Sequence, residues 1–315
     1  MSRRINEIIE TSLALEYEDA KDAGMLGYMA RSLVQATMPH TDPKTSYFER
    51  TNGLVTLSIV SRPQIGLPYG SVPRTLLAWI CTEAVRTQEP VLNLGRSQAE
   101  FLEKLGMHKD GRYVASLRKQ ATRLFSSMIS LTGTDDTQIG IENVVIARRA
   151  FLFWNPRKPD ERSLWESSLT LNGDFFEDVI RSPVPIDLRV LQALKQSPLA
   201  MDIYTWLVYR IFLLRAKGRP FVSIPWQALM AQFGSGYGST ISAELTDEDR
   251  KRVTDQAMRD FKKRFKLRLN EVLLFYPEAR EAVEDEGNCL RLKATKLHIK
   301  RDKKNPARLS QMNGS

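Results

Sequence analysis

Residues 246–275 read TDEDRKRVTDQAMRDFKKRFKLRLNEVLLF. Val253, Ala257, Phe261, Phe265, Leu269 and Val272 recur at steps of three and four, a spacing that gathers them on one face of a helix. Arg252, Gln256, Arg259, Lys263 and Lys266 fall on the opposite face, with Asp255 and Asp260 off the basic line. Aromatics that anchor a helix in a core, opposite a row of long cations and an amide, fit a DNA major groove. Charged outer faces are also ordinary on solvated helices, so this stretch alone does not decide the matter. The pattern occurs a second time. In Asp110 to Leu131, DGRYVASLRKQATRLFSSMISL, an apolar stripe of Val114, Leu117, Ala121, Leu124 and Met128 opposes Arg112, Ser116, Lys119 and Arg123.

Around both helices the punctuation repeats. Ser71 to Thr87 reads as a helix with Pro73 in its first turn and Leu76, Leu77, Ile80 and Ala84 inward; Pro90 stops it. Val91 to Leu94 reads as a short strand, and Ser97 with Glu100 three places on caps a helix that Gly106 ends before the first basic helix. Strands are expected over Asn143 to Trp154 and Leu164 to Leu171, separated by the turn-rich NPRKPDER. Farther along come helices over Asp187 to Lys195 and Pro198 to Arg215, a strand over Phe221 to Ile224 and a helix over Trp226 to Phe233 ended by Gly234. The second basic helix follows, then strands near Ala279 to Val283 and Leu290 to Ile299 around the turn EDEGN. Helix, strand, helix, turn, basic helix and strand hairpin is the order of a winged helix-turn-helix. The expected fold is α+β, mainly helical, with two such domains in tandem: 51–172 and 173–300, preceded by a polar arm over 1–50 and followed by a basic disordered tail over 301–315. Thr51 to Pro63, after an Asn-Gly turn signal, opens the first domain.

Composition agrees with an anionic partner. The 315 residues carry a formal charge of +9 and a pI near 9.5, and Lys and Arg gain affinity for phosphates by displacing counterions. With 42% hydrophobic residues the chain can bury substantial cores. Cys81 and Cys289 form no disulfide framework and no CxxC metal site. The start, MSRRINEIIE, has no apolar signal core and no run approaches a membrane span, so a cytoplasmic protein without membrane contact is expected.

Two regions of the chain carry a family resemblance. SPLAMDIYTWLVYRIFLL, SIPWQALMAQFGSGY and FKKRFKLRLNEVLLFYPEA look like the carboxy-terminal half of plasmid RepA-type replication initiators, and PYGSVPRTLLAWICTEAVRT with GRYVASLRKQATRLFSSMISL is similar to their amino-terminal half. The likeness runs in order from about Leu54 to Ile299. The resemblance implies tandem winged helices that bind direct repeats, called iterons, in a double-stranded plasmid origin. It further implies opening of the adjacent AT-rich duplex by monomers, recruitment of the host initiator and replicative helicase, copy-number control, and a monomer–dimer equilibrium in which dimers often repress their own genes. A transcriptional regulator acting at a promoter operator, without origin melting, is the alternative from another class.

Arg and Gln have bidentate geometry toward guanine and adenine edges. Base contacts are therefore expected from Arg252, Gln256 and Arg259 in the second domain and from Arg112, Lys119 and Arg123, with Ser116 on the same line, in the first. Lys263, Lys266, Lys293 and Lys296 are expected at phosphates. The tail KATKLHIKRDKKNPARLSQMNGS either adds phosphate contacts or merely solubilises the terminus. No catalysis and no cofactor are expected. GSGYGST at 234–240 lacks the GxxxxGK[ST] spacing of a phosphate loop, and His40, His108 and His298 are isolated. Asp135, Asp136, Glu284, Asp285 and Glu286 read as solvated turn carboxylates, and Trp79, Trp206 and Trp226 as core.

Overall fold

The structure, a computed structural model, describes residues 4, 8, 20, 24–35, 37–52, 55–134, 139–155, 157–234 and 246–299. Four small antiparallel sheets carry the strands, and helices pack between them. Strand β1 (Leu26–Ala30) leads into the short helix α1 (Arg31–Gln35), and β2 (Tyr47–Asn52) pairs with β3 (Val55–Val60). Helix α2 (Ser71–Thr87) has the bounds that its Pro73 start and Pro90 stop dictate, and it buries Leu76, Leu77, Ile80, Cys81 and Ala84. Next come β4 (Val91–Gly95), α3 (Gln98–Lys104) and the first basic helix, α4 (Gly111–Ser126). The Ser97 hydroxyl caps α3 by accepting the Glu100 amide at 3.1 Å.

Helix α4 stops five residues short of the expected Leu131. Met128 begins a strand, β5 (Met128–Thr134), and its side chain is exposed instead of completing the helical stripe. Strand β5 pairs with β3 and with β6 (Ile139–Val144), which gives a sheet of order β2-β3-β5-β6. The single strand expected over Asn143 to Trp154 is therefore two: β6 ends there, and β7 (Ala147–Phe151) joins a different sheet with β8 (Ser167–Leu171) and β4.

Helix α5 (Gly173–Arg181) precedes β9 (Pro183–Asp187), a strand absent from the sequence reading because its two prolines suit only an edge. Asp187 then caps α6 (Leu188–Ala193), accepting the Arg189 amide at 2.8 Å. Helix α7 (Pro198–Ala216) is buried on nearly all sides and forms the centre of the second half. Strand β10 (Phe221–Pro225), α8 (Trp226–Phe233), the long basic helix α9 (Asp247–Phe275), β11 (Val283–Asp285) and β12 (Cys289–Lys293) complete the described chain. The last hairpin is shorter than expected because Pro277–Ala279 closes into a 3-10 turn that buries Ala279.

Two modules repeat one layout. In the first, α2, α3 and α4 accompany a sheet of order β4-β8-β7; in the second, α7, α8 and α9 accompany a sheet of order β10-β12-β11. Each time the strand before the middle helix pairs with the last strand, which takes the centre. The β5–β6 hairpin is an insertion into the first module. Trp79, Phe101 and Trp154 pack in the first core, with ring centroids 4.9 and 5.2 Å apart. Trp206, Trp226, Phe233, Phe261 and Phe265 fill the second, largely edge to face. The three tryptophans named from sequence thus lie in cores, Trp79 only half-buried.

The amino-terminal residues are not a separate arm where the structure describes them. Strand β1 pairs along its length with β9, Ile8 is buried, and Arg4 reaches Glu271 on α9 at 2.8 Å. The segment 37–50 instead ties the modules together. The guanidinium of Arg74 on α2 donates to both carboxylate oxygens of Asp202 on α7 at 2.6 Å, and to the carbonyls of Met38, Pro39 and Gly70. His40 Nε2 completes the Asp202 carboxylate at 2.8 Å. Arg50 on β2 donates to Thr37 and to the Gln232 carbonyl of α8. Burial pushes His40 down to about 4, outweighing its Asp202 partner, so the imidazole is neutral in the fold. Burial works against the Asp202 carboxylate, but Arg74 and His40 hold it below the usual range. Charged groups so deep persist because they are paired or hydrogen-bonded, Arg50 through its Nη1 alone. The segment 235–245, which holds most of GSGYGST, the tail 301–315, and Asp135 and Asp136 lie outside the described residues. Among the described residues, no helix is long and apolar enough to cross a membrane.

Candidate nucleic-acid interface

Asp110 precedes helix α4, and its carboxylate accepts the Tyr113 amide at 3.0 Å. Val114, Leu117, Ala121 and Leu124 are buried, as their spacing requires. The exposed arc is Ala115, Arg118, Lys119, Thr122 and Ser126, turned to one side of the line read from sequence. Lys119 belongs to that arc and Ser116 sits half-buried at its margin. Arg112 lies in the first turn, and its side chain is outside the described residues. Arg123 is buried, which corrects its assignment as a base contact. Its guanidinium donates to the carbonyls of Ile65 at 2.9 Å and Leu67 at 3.0 Å, lies 3.4 Å from Asp42 and covers the Tyr69 ring. The 62–69 loop closes over that side of α4. A Cβ on Gly66, at φ +79°, would meet the Arg123 guanidinium at 2.9 Å, so both the turn and the close approach require glycine there. Asp42 is shifted below the usual carboxylate range: burial opposes this, but the Lys44 amide and Arg123 prevail.

Arg118 was missed in the sequence because the basic line was drawn through Arg123; a wider arc on the side opposite the apolar stripe would have included it. Its guanidinium contacts the Trp154 carbonyl at 3.4 Å, which sets the exposed arc beside the loop joining β7 to β8. A shallow cleft between Gln64, Ile65 and the Arg118–Thr122 turn borders the same arc.

Helix α9 is arranged differently. The Thr246 hydroxyl caps it by accepting the Asp249 amide at 3.2 Å. Residues 248–256 are all exposed, and the first buried side chain is Phe261, followed by Phe265, Leu269, Val272 and Phe275. Val253 and Ala257, expected on the core face, are not buried: Val253 is exposed and Ala257 half-exposed. Met258 already packs, partly buried, against the core, so the fully exposed leading stretch, residues 248–256, is about 14 Å long at 1.5 Å per residue.

Arg252 and Gln256 lie on this leading stretch, and Arg259 and Lys263 follow where the helix seats; all four are exposed. They are not all independent. Gln256 donates to Asp260 at 3.0 Å and accepts from Arg259 at 2.8 Å, so Asp260 is drawn into the basic line. Of the expected phosphate contacts, Lys263 and Lys296 are exposed, whereas Lys266 and Lys293 are ion-paired to Asp285 and Glu284. Arg291 pairs with Glu286 at 2.8 Å. The carboxylates of EDEGN are therefore partners of hairpin and helix cations, not merely solvated. Asp285 also accepts Trp226 Nε1 at 3.1 Å; burial opposes its ionisation, yet Lys266 and these donors hold it below the usual range. Lys262, over the Trp226 ring, donates to the Gly287 carbonyl at 2.6 Å. These bonds fasten the β11–β12 hairpin to α9 and neutralise it.

Two modules of one topology, each presenting a cationic helix, define the class as one of duplicated helix-and-sheet proteins with basic helices turned outward. A sequence model of the family described as plasmid-encoded RepA protein matches residues 67–228. The chain belongs to this family of plasmid-encoded RepA replication initiators. Two crystal structures of domains 2 and 3 of RctB are similar to it. One has 13% identity, covers 83% of this chain and 95% of that chain, and has a TM-score of 0.45. The other has 14% identity, covers 84% and 96%, and has a TM-score of 0.44. No curated protein matches the chain.

Proposed function

We propose that this initiator binds direct repeats, iterons, in a plasmid origin through two tandem winged helix-turn-helix domains, with α4 and α9 as the helices that enter the DNA. The observation that carries the reading is the repeated topology: each module places its cationic helix between a buried helix pair and a three-stranded sheet with the last strand at its centre. Arg118 and Lys119 on α4, and Arg252, Arg259 and Lys263 on α9, are the exposed cations in position to act. Two such helices on one body suit successive major grooves about 34–36 Å apart, and so a site longer than one module spans. Opening of an AT-rich duplex, recruitment of the host initiator and helicase, and a monomer–dimer balance belong to the same proposal and follow from the family. The protein acts here by binding, without catalysis of its own.

The test is selection of bound duplexes from random and plasmid-origin DNA at about 0.15 M salt, with the wild type and an Arg252→Ala, Arg259→Ala variant. Enrichment of a long nonpalindromic motif that recurs in tandem at an origin, weakened in the variant by about 1–3 kcal/mol per lost base contact, is the expected result. A palindromic promoter motif would instead favour a transcriptional regulator, and no enriched motif would defeat the reading.

A further inference from the structure

The two hairpins that occupy equivalent places in the modules have opposite surfaces. The β11–β12 hairpin is tight, and each carboxylate of Glu284, Asp285 and Glu286 takes a cation from its own module. The loop from β7 to β8 is long and turns apolar side chains outward. Leu164 is 91% exposed and Trp165 70% exposed. Phe151 and Phe153 are exposed too, their rings nearly parallel with centroids 6.0 Å apart. Large apolar groups gathered this way at a surface mark an interaction site.

The backbone of the loop is held. Ser163 donates its amide to the Arg96 carbonyl at 2.9 Å, Ala99 donates to the Pro159 carbonyl at 3.0 Å, and the Trp165 amide donates to the Ser163 hydroxyl at 3.2 Å. Leu164 and Trp165 are therefore fixed in water instead of folding back on the sheet. The surrounding charge is mostly positive: Arg148, Arg149, Arg157, Lys158 and Arg162 are exposed here. Of the nearby acids, Glu161 accepts from Asn155 and Glu166 pairs with Arg96, which leaves Asp160 among the cations. The Arg118–Trp154 bond makes this surface continuous with the exposed arc of α4.

We infer that Leu164 and Trp165 form an apolar wedge that enters the minor groove beside the α4 site and unstacks one base step, with the flanking cations on the adjacent phosphates. The partner is duplex DNA because the cations suit phosphates and the apolar tip suits the faces of bases, which become available when a step is prised apart. Proteins that insert such wedges kink the duplex by about 20–90°. The second hairpin, neutralised and without an apolar tip, has no equivalent part. This inference rests on the reading of α4 as a DNA-binding helix.

The experiment uses the full chain and a duplex enriched by the selection above, with 2-aminopurine placed in turn at each step of the protected region and a dye on each end. The wild type is expected to raise the fluorescence severalfold at one step and to shorten the end-to-end distance. The Leu164→Ser, Trp165→Ser variant should lose both signals while its affinity falls no more than tenfold, and an unchanged circular-dichroism melt establishes that it folds. Trp165→Phe should restore most of the unstacking, which mere loss of charge or fold would not allow. Enrichment of a duplex that shows no unstacked step, or unstacking that persists in the Ser variant, would overturn the wedge and leave the α4 reading intact. A lower affinity of the Arg118→Ala, Lys119→Ala variant for the same duplex, with the remaining binding kept by α9, supports the α4 reading separately. Failure to enrich any duplex would remove both.

Discussion

Helix α4 is seated in its module from Val114 to Leu124, whereas α9 has no buried side chain ahead of Phe261 among the described residues. Both helices carry an apolar stripe opposite a basic one. In α4 the stripe meets α2 and α3 and is covered; α9 meets α7 and α8, and among its described residues full burial begins only at Phe261. Periodicity therefore tells which face of a helix is apolar and not how far along its length a core extends. The difference also separates two ways of meeting DNA. Helix α4 offers a narrow arc bounded by the 62–69 loop, while residues 248–256 of α9 are all exposed, which on the proposed function would let them enter a groove more deeply.

The largest effect that would sharpen this contrast is in the seated half of α9. Phe265→Ala empties the aromatic cluster with Trp206, Trp226 and Phe233 and should destabilise by about 3–5 kcal/mol in urea unfolding. Val253→Ser, in the exposed leading stretch, should change stability by no more than about 0.5 kcal/mol. Equal effects at the two positions would break the distinction.

Acid should act through the junction that holds the modules together. His40 titrates at about 4 in the fold against an ordinary value of 6.5. Between those limits the unfolded chain binds the extra proton, so stability present above pH 6.5 is lost as the pH falls toward 4, by about 3 kcal/mol in all. Asp202 adds to the loss at lower pH, since its carboxylate lies below its ordinary value. Unfolding midpoints measured across this range should slope for the wild type and flatten for His40→Gln; parallel curves would contradict the neutral imidazole.

Arg123 and Lys119, four residues apart on α4, should separate by kind of effect. Arg123→Ala leaves the Ile65 and Leu67 carbonyls without their donor and should cost about 1–3 kcal/mol of stability. Lys119→Ala should leave stability within about 0.5 kcal/mol and lower the slope of log affinity against log salt by about 0.9. The smallest effect is expected at Asp260, where Asp260→Asn removes a negative charge beside Gln256 and Arg259 and should strengthen DNA binding by less than about 1 kcal/mol.

Much of the layout was legible because its signals are local. Pro73 and Pro90 bound α2, Ser97 with Glu100 starts α3, and Trp226 to Phe233 is the α8 helix as read. The partners of strands were not legible, since pairing is settled by residues distant in sequence. The β1–β9 pair joins residues near 28 to residues near 185, and the β5–β6 hairpin leaves the first module's sheet to extend another. Residues 37–50 belong to the stretch expected as a polar arm over 1–50, yet His40 and Arg50 are buried because Asp202, Thr37 and the Gln232 carbonyl receive them. The candidate site was legible as a set more than residue by residue. Lys119, Arg252, Arg259 and Lys263 are exposed as expected, but Arg123 serves a loop, and Lys266 and Lys293 serve carboxylates. Both outcomes depend on what lies across from a cation, which its own spacing does not record.

Hydroxyl-radical footprinting of one selected duplex is the most direct test of the claim that α4 and α9 occupy separate parts of a single long site. The wild type, an Arg118→Ala, Lys119→Ala variant and an Arg252→Ala, Arg259→Ala variant are compared. The account expects the protected region to shorten from one end in the first variant and from the other end in the second, with the two lost segments centred about one helical turn, 34–36 Å, apart. Protection that keeps its full length in both variants, or that is lost over the same segment in both, would contradict it.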